Sequence, residues 1–403
     1  MEKIDNTKAK MIAFYLPQFH AIPENDEWWG EGFTEWTNTK KAKPLYEGHY
    51  QPHEPAEEIG YYNLLEPDIR DYQAKLAKQH GIYGFCYYHY WFDGKKLLEK
   101  PLDEVIKTKK PDFPFCICWA NESWNKVWDG KDHEILIKQT YKEGFELAFI
   151  KDLIPYLSDE RYIRINGKLL ILVWRPEQFP NSKRTAEIWR NYVREQGLGE
   201  IYLIKVESHI AGIDPESLGF DAAIEFMPNS RELGPIVKES VKHTHIYDYE
   251  NSIINAAVKE YPNYKLFRGA FASWDNTARK AEKATIFINS SIEGFEFNLT
   301  NALKSTYKNF NEEERLVFIN AWNEWAEGCH LEPDKKEGRS FLEVCKKLDD
   351  KSVADILNSK ISFTAEQFEK LVKNKVRAAL RPYKRLINMP IGKKYRLKIF
   401  WEW

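Results

Sequence analysis

The chain has 403 residues, 43% of them hydrophobic, enough for one large core or two ordinary ones. Against 59 basic side chains stand 61 acidic ones, a net charge of −2, so no polyanion-binding field covers the molecule and nucleic acid is not an expected partner. No apolar run reaches 18 residues, which excludes a spanning helix, and the opening MEKIDNTKAK lacks the apolar centre of a secretory signal, so the expected location is the cytoplasm.

In chain order, a β-rich run at 11–17 (MIAFYLP) comes first, followed by an insertion over 20–62 that carries Trp28, Trp29, Trp36, Tyr46, Tyr50, Tyr61 and Tyr62. A helical pattern at 66–80 leads into runs at 82–91 (IYGFCYYHYW) and 113–120 (FPFCICWA). Helix-like 143–157 precedes the run 169–174 (LLILVW), and helix-like 184–197 precedes runs at 201–207 and 221–227. The pattern closes with helix-like 250–260, a run at 265–273, helix-like 279–290 and a last run at 316–322. Near-continuous apolar character, rather than alternation, marks strands buried on both faces of a parallel sheet. Eight strand–helix repeats are the count for an α/β fold of the (β/α)8 TIM-barrel type, with a long insertion after the first strand. A doubly wound open sheet is the other reading; it would want a Gly-rich phosphate turn, and neither G-x-G-x-x-G nor a P-loop occurs.

The expected organisation is a catalytic barrel over 1–355 and a helical, basic tail over 356–403. From Lys373 to Trp403 ten Lys/Arg face a single Glu, and the tail ends LKIFWEW. Basic stems followed by interface-seeking aromatics suit anionic lipid, which would add peripheral contact at the inner membrane. The competing reading is a solvated basic helix docked on the acidic body, and Pro382 and Pro390 interrupt any long amphipathic helix.

Aromatic residues make 15% of the chain, and many of the 14 Trp and 22 Tyr stand beside polar residues. Flat rings with a polar handle suit a sugar-binding cleft, although a Trp-rich core would read the same way. In a barrel, residues just past each strand face one another across the active site. Here they include Tyr15, Gln18 and His20, then Tyr88, His89 and Trp91, then Trp119, Asn121 and Glu122. Further along come Trp174-Arg175, Glu207, His209, Glu225, Met227, Trp274, Asp275 and Asn276, and finally Asn323-Glu-Trp-Ala-Glu327. Carboxylates and amides for hydroxyls, with rings for pyranose faces, fit an oligo- or polysaccharide. Glycoside hydrolysis needs two carboxyl groups, and Glu324 and Glu327 supply a pair where the last strand leaves the barrel. The other reading makes one of them a solvated loop residue or a helix cap, and Asp275 keeps a second arrangement open. His20 and His89 could bind hydroxyls or serve as hydrogen-bonded core residues.

Neither a cofactor nor a metal is expected. His243-x-His245 reads as a surface pair, Cys116-x-Cys118 has the wrong spacing for a zinc knuckle, and the odd set Cys86, Cys116, Cys118, Cys329 and Cys345 reads as buried free thiols. No G-x-S-x-G elbow and no Asp-x-Asp nucleotide-sugar motif is present.

The segments FYLPQFHAIPENDEWWGEGFTEWTN, HYQPHEP, GFCYYHYWFDGKKLLEKP, CWANESW and INAWNEWAEGCHLEPD run in order through about residues 11–350. Together they resemble the WbsX-type family, which is related to glycoside hydrolase family 99. The resemblance implies a (β/α)8 carbohydrate-active enzyme of the kind encoded among O-antigen and capsular polysaccharide genes. Family 99 enzymes are retaining α-mannoside hydrolases in which one Glu deprotonates the sugar's own 2-hydroxyl to form a 1,2-anhydro sugar, while a second Glu serves as acid and then base. Carried over, Glu324 is the 2-hydroxyl base and Glu327 the general acid/base. The hydrolases place His before the second Glu, where this chain has Ala326, a departure from the mannose-specific pattern. Tyr15, Gln18, Trp36, Tyr88, His89, Trp91, Trp119, Asn121, Glu122, Trp274 and Asn323 are the candidate sugar contacts. Hydrolysis, glycosyl transfer and non-catalytic glycan binding are the three functional readings.

Overall fold

The structure is a computed structural model, and it describes residues 7–125, 135–208, 210–229, 233–238 and 243–359. Eight parallel strands form the ring: β1 (Lys10–Tyr15), β2 (Ile82–Phe92), β3 (Phe115–Trp119), β4 (Lys168–Val173), β5 (Ile201–Glu207), β6 (Ala222–Glu225), β7 and β8 (Leu316–Asn320). Apart from Tyr83 near the start of β2, the inner residues of these runs are buried, as strands covered on both sides require.

The seventh run, expected as one strand, is β7 in two short segments, Leu266–Phe267 and Gly269–Phe271. The first pairs with β6 and the second with β8, so the ring closes except for a break at Arg268. The physical reason is local. A side chain on Gly269 would begin 2.2 Å from the Glu225 carbonyl oxygen, and the Arg268 guanidinium turns to Glu225 at 3.2 Å. Backbone crowding and a buried ion pair interrupt the ladder at this point.

Helices α1 (Pro23–Trp29) and α2 (Glu35–Lys41) give the long insertion its own structure. The outer ring holds α3 (Pro67–Gln79), α4 (Lys100–Thr108), α5 (Phe145–Leu157), α6 (Ser182–Glu195) and α7 (Tyr249–Val258). Start signals in the sequence explain their bounds: Pro opens α3, the Asn181 side chain accepts from the Arg184 amide, and the Asp248 side chain accepts from the Asn251 amide.

The expected helix at 279–290 is a correction. A one-turn helix, α8 (Thr277–Lys280), gives way to a strand at Thr285–Ile288 that pairs in parallel with His245–Asp248. The β-branched and aromatic run Thr-Ile-Phe-Ile favours that strand, and Ser291, capping the Gly294 amide, starts the true helix between the seventh and eighth strands, α9 (Ile292–Asn309). Helix α10 (Ser340–Asp350) and the short α11 (Val353–Asn358) follow, with Ile356 of α11 fully buried in the main core. All five cysteines are buried free thiols. Among the described residues no helix is long and apolar enough to cross a membrane.

Candidate active site

A cleft of about 490 Å³ opens beyond the C-terminal ends of the strands. Its floor carries Gln18 after β1, Tyr88 and Tyr90 on β2, Trp174 after β4 and Phe226 after β6. Trp29 of α1, Trp124 and Trp274 stand around it, and Glu122, Arg279, Glu324 and Glu327 supply the charge. This is the size and mixture expected of a pocket for a small polar molecule with apolar faces.

The chemistry centres on one guanidinium. Arg279 Nη2 donates to Glu324 Oε2 at 2.7 Å, Nη1 lies 2.7 Å from Glu327 Oε1, and Nε donates to Glu35 Oε1 at 2.7 Å. Glu35 enters from the insertion as the first residue of α2, where its amide donates to the Gln18 carbonyl at 3.0 Å. Burial pushes the Glu324 carboxyl up to about 8; Arg279 opposes the shift, while Glu327 and Glu35 add to it. Glu327 is likewise raised by burial, against the pull of Arg279. Its side chain is 18% exposed against 5% for Glu324, so Glu327 is the more open of the two.

The scaffold behind the pair is built from the two ends of the barrel. Asn323 Oδ1 accepts from the Leu16 amide at 2.7 Å and its Nδ2 donates to the Leu16 carbonyl at 3.0 Å, which fixes the strand β8 exit against β1. Trp325 Nε1 donates to the buried Glu332 at 2.7 Å, and Tyr62 and Gln73 donate to the same carboxylate. Asp275 holds the Glu327 turn from the other side, its amide donating to the Glu327 carbonyl at 2.7 Å. The Leu45 amide donates to His49 Nδ1, so His49 Nε2 carries the ring proton and donates to Asp275 Oδ2 at 2.6 Å. Gln51 and Thr277 occupy the rest of that carboxylate, which leaves Asp275 as a support rather than a group facing the cleft.

A family model described as Glycosyltransferase WbsX matches residues 11–345. The chain belongs to the WbsX family. Two curated relatives, each called "Uncharacterized protein WxcX" and from strains of Xanthomonas campestris pv. campestris, are 41% identical over 342 residues. Those residues are 83% of this chain and 49% of the relative, so the chain spans about half the length of the curated relatives it matches. A solved "Glycoside hydrolase-like protein" superposes with a TM-score of 0.55 at 14% identity, covering 86% of this chain and 94% of that one. The GH99 endo-alpha-mannosidase from Bacteroides thetaiotaomicron, in one of its structures, superposes with a TM-score of 0.51 at 14% identity, over 87% of this chain and 98% of the other. At such identities the likeness shows a shared barrel.

Within this WbsX-family chain, Gln18, Tyr88, Glu122, Trp274, Glu324 and Glu327 line the cleft. Glu122 is paired there with Arg175 at 2.5 Å. The other candidate contacts need correcting, because the structure places them behind the cleft. Tyr15 points outward from β1 and donates to Gln73 at 2.6 Å, whereas its neighbour Phe14 faces inward against Tyr88 and Phe226. His89 and Trp91 lie against Phe149 of α5, on the opposite face of β2 from Tyr88 and Tyr90. Trp119 stacks on the same Phe149 with centroids 3.9 Å apart. Trp36 is packed between Phe19, Tyr62 and Trp325 and donates to the Tyr62 carbonyl. Asn121 and Asn323 tie strand ends together, Asn121 through the Arg175 backbone at 2.7 and 2.9 Å. His20 is buried and bonded to the Pro17 carbonyl. Glu207 and Glu225 are taken up by Lys205 and by Lys259 with Arg268; His209 lies outside the described residues.

Sequence reasoning missed Trp124, Phe226, Arg279 and Glu35 as site residues, and it placed Tyr90 at the strand end without counting it among the sugar contacts. The alternation of side chains along β2 was the available signal for Tyr90, since Tyr88 and Tyr90 must share a face. Arg279 was hidden inside the mistaken helix, and nothing in the spacing of Glu35 connects it with a carboxylate pair almost three hundred positions later.

Proposed function

We propose that this WbsX-family chain is a carbohydrate-active enzyme that cleaves glycosidic bonds in a bacterial surface polysaccharide or its precursor, with retention, through a 1,2-anhydro sugar. The observation that carries the reading is the pair Glu324 and Glu327, held by a single guanidinium in an aromatic-lined cleft. Two buried donors lining the cleft, Gln18 Nε2 and Trp174 Nε1, have no hydrogen-bond partner among the described residues, and sugar hydroxyls are the natural acceptors for them.

In this mechanism Glu324 takes the proton of the 2-hydroxyl as O2 attacks C1, and Glu327 gives its proton to the departing glycosidic oxygen. Glu327 then removes a proton from water attacking C1, the C1–O2 bond opens, and Glu324 returns its proton to O2. Raised pKa values suit both roles: Glu324 is a stronger base once ionised, and burial favours the protonated form that Glu327 needs as an acid. At the position of the hydrolases' His, Ala326 is fully buried, so here it serves packing and leaves the sugar to other contacts.

The test is incubation of the source organism's purified surface polysaccharide with wild type and with Glu327→Gln. New reducing ends of retained configuration should appear with wild type, and the variant should lose about 10²–10⁴-fold in turnover while binding is kept. Variant turnover above about a tenth of wild type would remove Glu327 from its role. The family's description as a glycosyltransferase favours a second reading, in which the same pair passes the glycosyl unit to a sugar hydroxyl instead of water. Products lengthened rather than shortened would select it.

A further inference from the structure

The segments HYQPHEP and GCHLEPD, some 280 positions apart, meet behind the turn that carries Glu327. His53 Nδ1 lies 3.2 Å from His330 Nε2, and Asp334 Oδ2 lies 3.8 Å from that same nitrogen. The three ligand-type atoms fall within 4.8 Å of one another. His330 and Asp334 are buried, at 2% and 4% exposure.

The tautomer of His330 is fixed. Its Nδ1 sits 3.0 Å from the Glu332 carbonyl, an acceptor only, so Nδ1 carries the hydrogen and Nε2 presents its lone pair. A backbone carbonyl on the far nitrogen is the usual outer support of a metal-bound histidine. The ring is also clamped face to face on Trp325, centroids 3.7 Å apart, which sets its direction. Asp334 Oδ1 accepts from the Glu337 amide at 2.5 Å, which orients the carboxylate, while Oδ2 stands beyond hydrogen-bond reach of the imidazole. Among the described residues no lysine or arginine pairs with Asp334, so this buried carboxylate has imidazoles for company and no fixed cation.

Spacing decides between an accidental meeting and a site. With zinc–nitrogen bonds of about 2.0–2.1 Å, two ligands at the tetrahedral angle stand about 3.3–3.4 Å apart, and no two ligands can exceed about 4.2 Å. Two of the separations, 3.2 and 3.8 Å, lie within that limit, and the third, between His53 and Asp334, is within 4.8 Å, so at most a small side-chain movement brings all three donors onto one cation. We infer that His53, His330 and Asp334 bind one divalent transition cation, zinc by the character of the nitrogen, nitrogen and oxygen donors, with water at the remaining position. His53 would then switch its ring proton from Nδ1 to Nε2.

The position gives the cation a task. Gly328, at φ +56°, is so close that a Cβ there would meet His53 Cε1 and Asp275 at 3.1 Å. The cation therefore staples the insertion, which also brings His49 and Gln51 to Asp275, onto the turn behind Glu327. The site lies outside the cleft and its existence does not depend on the reaction proposed above.

The experiment uses full-length protein without tag histidines, stripped with chelator and titrated with zinc chloride by calorimetry, with metal content read by mass spectrometry. We expect about one equivalent per chain for wild type, a higher melting temperature when loaded, and at least about tenfold weaker binding in both His53→Ala and Asp334→Asn. His245→Ala, at the exposed His243/His245 pair, should bind as wild type does. Uptake well below one equivalent by wild type, a measurement that needs no variant to fold, would overturn the site; so would unchanged uptake by a folded His53→Ala protein.

Discussion

Arg279 carries one positive charge against Glu35, Glu324 and Glu327, and burial outweighs its pull on Glu324 and Glu327, whose carboxyls are raised above the ordinary range. A carboxyl raised to about 8 bears on the working pH of the proposed reaction. If Glu324 is the base it must be ionised to act, so kcat/KM should climb with pH along a limb whose midpoint is near 8, well above the ordinary carboxylate range. Because Glu324 and Glu327 titrate as a coupled pair, that midpoint belongs to the dyad. Measuring kcat/KM between pH 5 and 9 checks the sign: a rate that instead falls through the same region would exchange the roles of the two residues. Replacing Arg279 by Gln should strand three acids without a countercharge, at a cost of about 3–5 kcal/mol in stability, the amount typical of breaking a buried ion pair. Chemical denaturation of the variant reads that directly, and an unchanged midpoint would show the three acids to be solvated.

At the scale of the strand, orientation alone separates site from core. Along β2 and β3 the alternate positions Tyr88 and Tyr90 face the cleft, while His89, Trp91 and Trp119 meet α5. Trp119→Ala should therefore destabilise the fold by about 3–5 kcal/mol, the usual cost of emptying a core of so large a ring. Trp174→Phe keeps the ring but removes the unpartnered Nε1–H, and it should raise KM by up to about tenfold with no change in melting temperature. Equal thermal losses in both variants would contradict the assignment of faces. This parity also marks what the sequence made legible. Eight apolar runs at barrel spacing revealed the ring, and Glu324 and Glu327 stood out because they follow the last run. A near-continuous apolar strand, however, hides which alternate residues point inward, and the cluster around Tyr88–Trp91 was read as one set for that reason. Glu35 and Arg279 were invisible for another reason: their meeting depends on how an insertion and a one-turn helix fold over the rim, which no local periodicity encodes.

For the whole molecule, charge is divided unevenly along the chain. Residues 373–403 hold ten Lys/Arg and one Glu, whereas the remainder holds 49 basic and 60 acidic side chains. This tail lies outside the described residues. We propose that it holds the protein at anionic lipid, since each basic residue near such a surface contributes about 1 kcal/mol. Deleting 373–403 should abolish co-sedimentation with phosphatidylserine vesicles and leave polysaccharide turnover intact; equal sedimentation by both forms would refute it.

The hydrogen bonds that align the catalytic turn join residues 307 positions apart, Leu16 to Asn323. Glu35 likewise comes from the segment after β1, far along the chain from Arg279 and the two acids that follow β7 and β8. Contacts of such range form late, because a long loop must close before they contribute. On the proposed function, a growing polypeptide on the ribosome should therefore be catalytically silent until β8 and the turn beyond it have emerged and found β1. Appearance of activity then times closure of the ring itself, and a fragment ending before residue 316 should be inert whatever sugar it is offered.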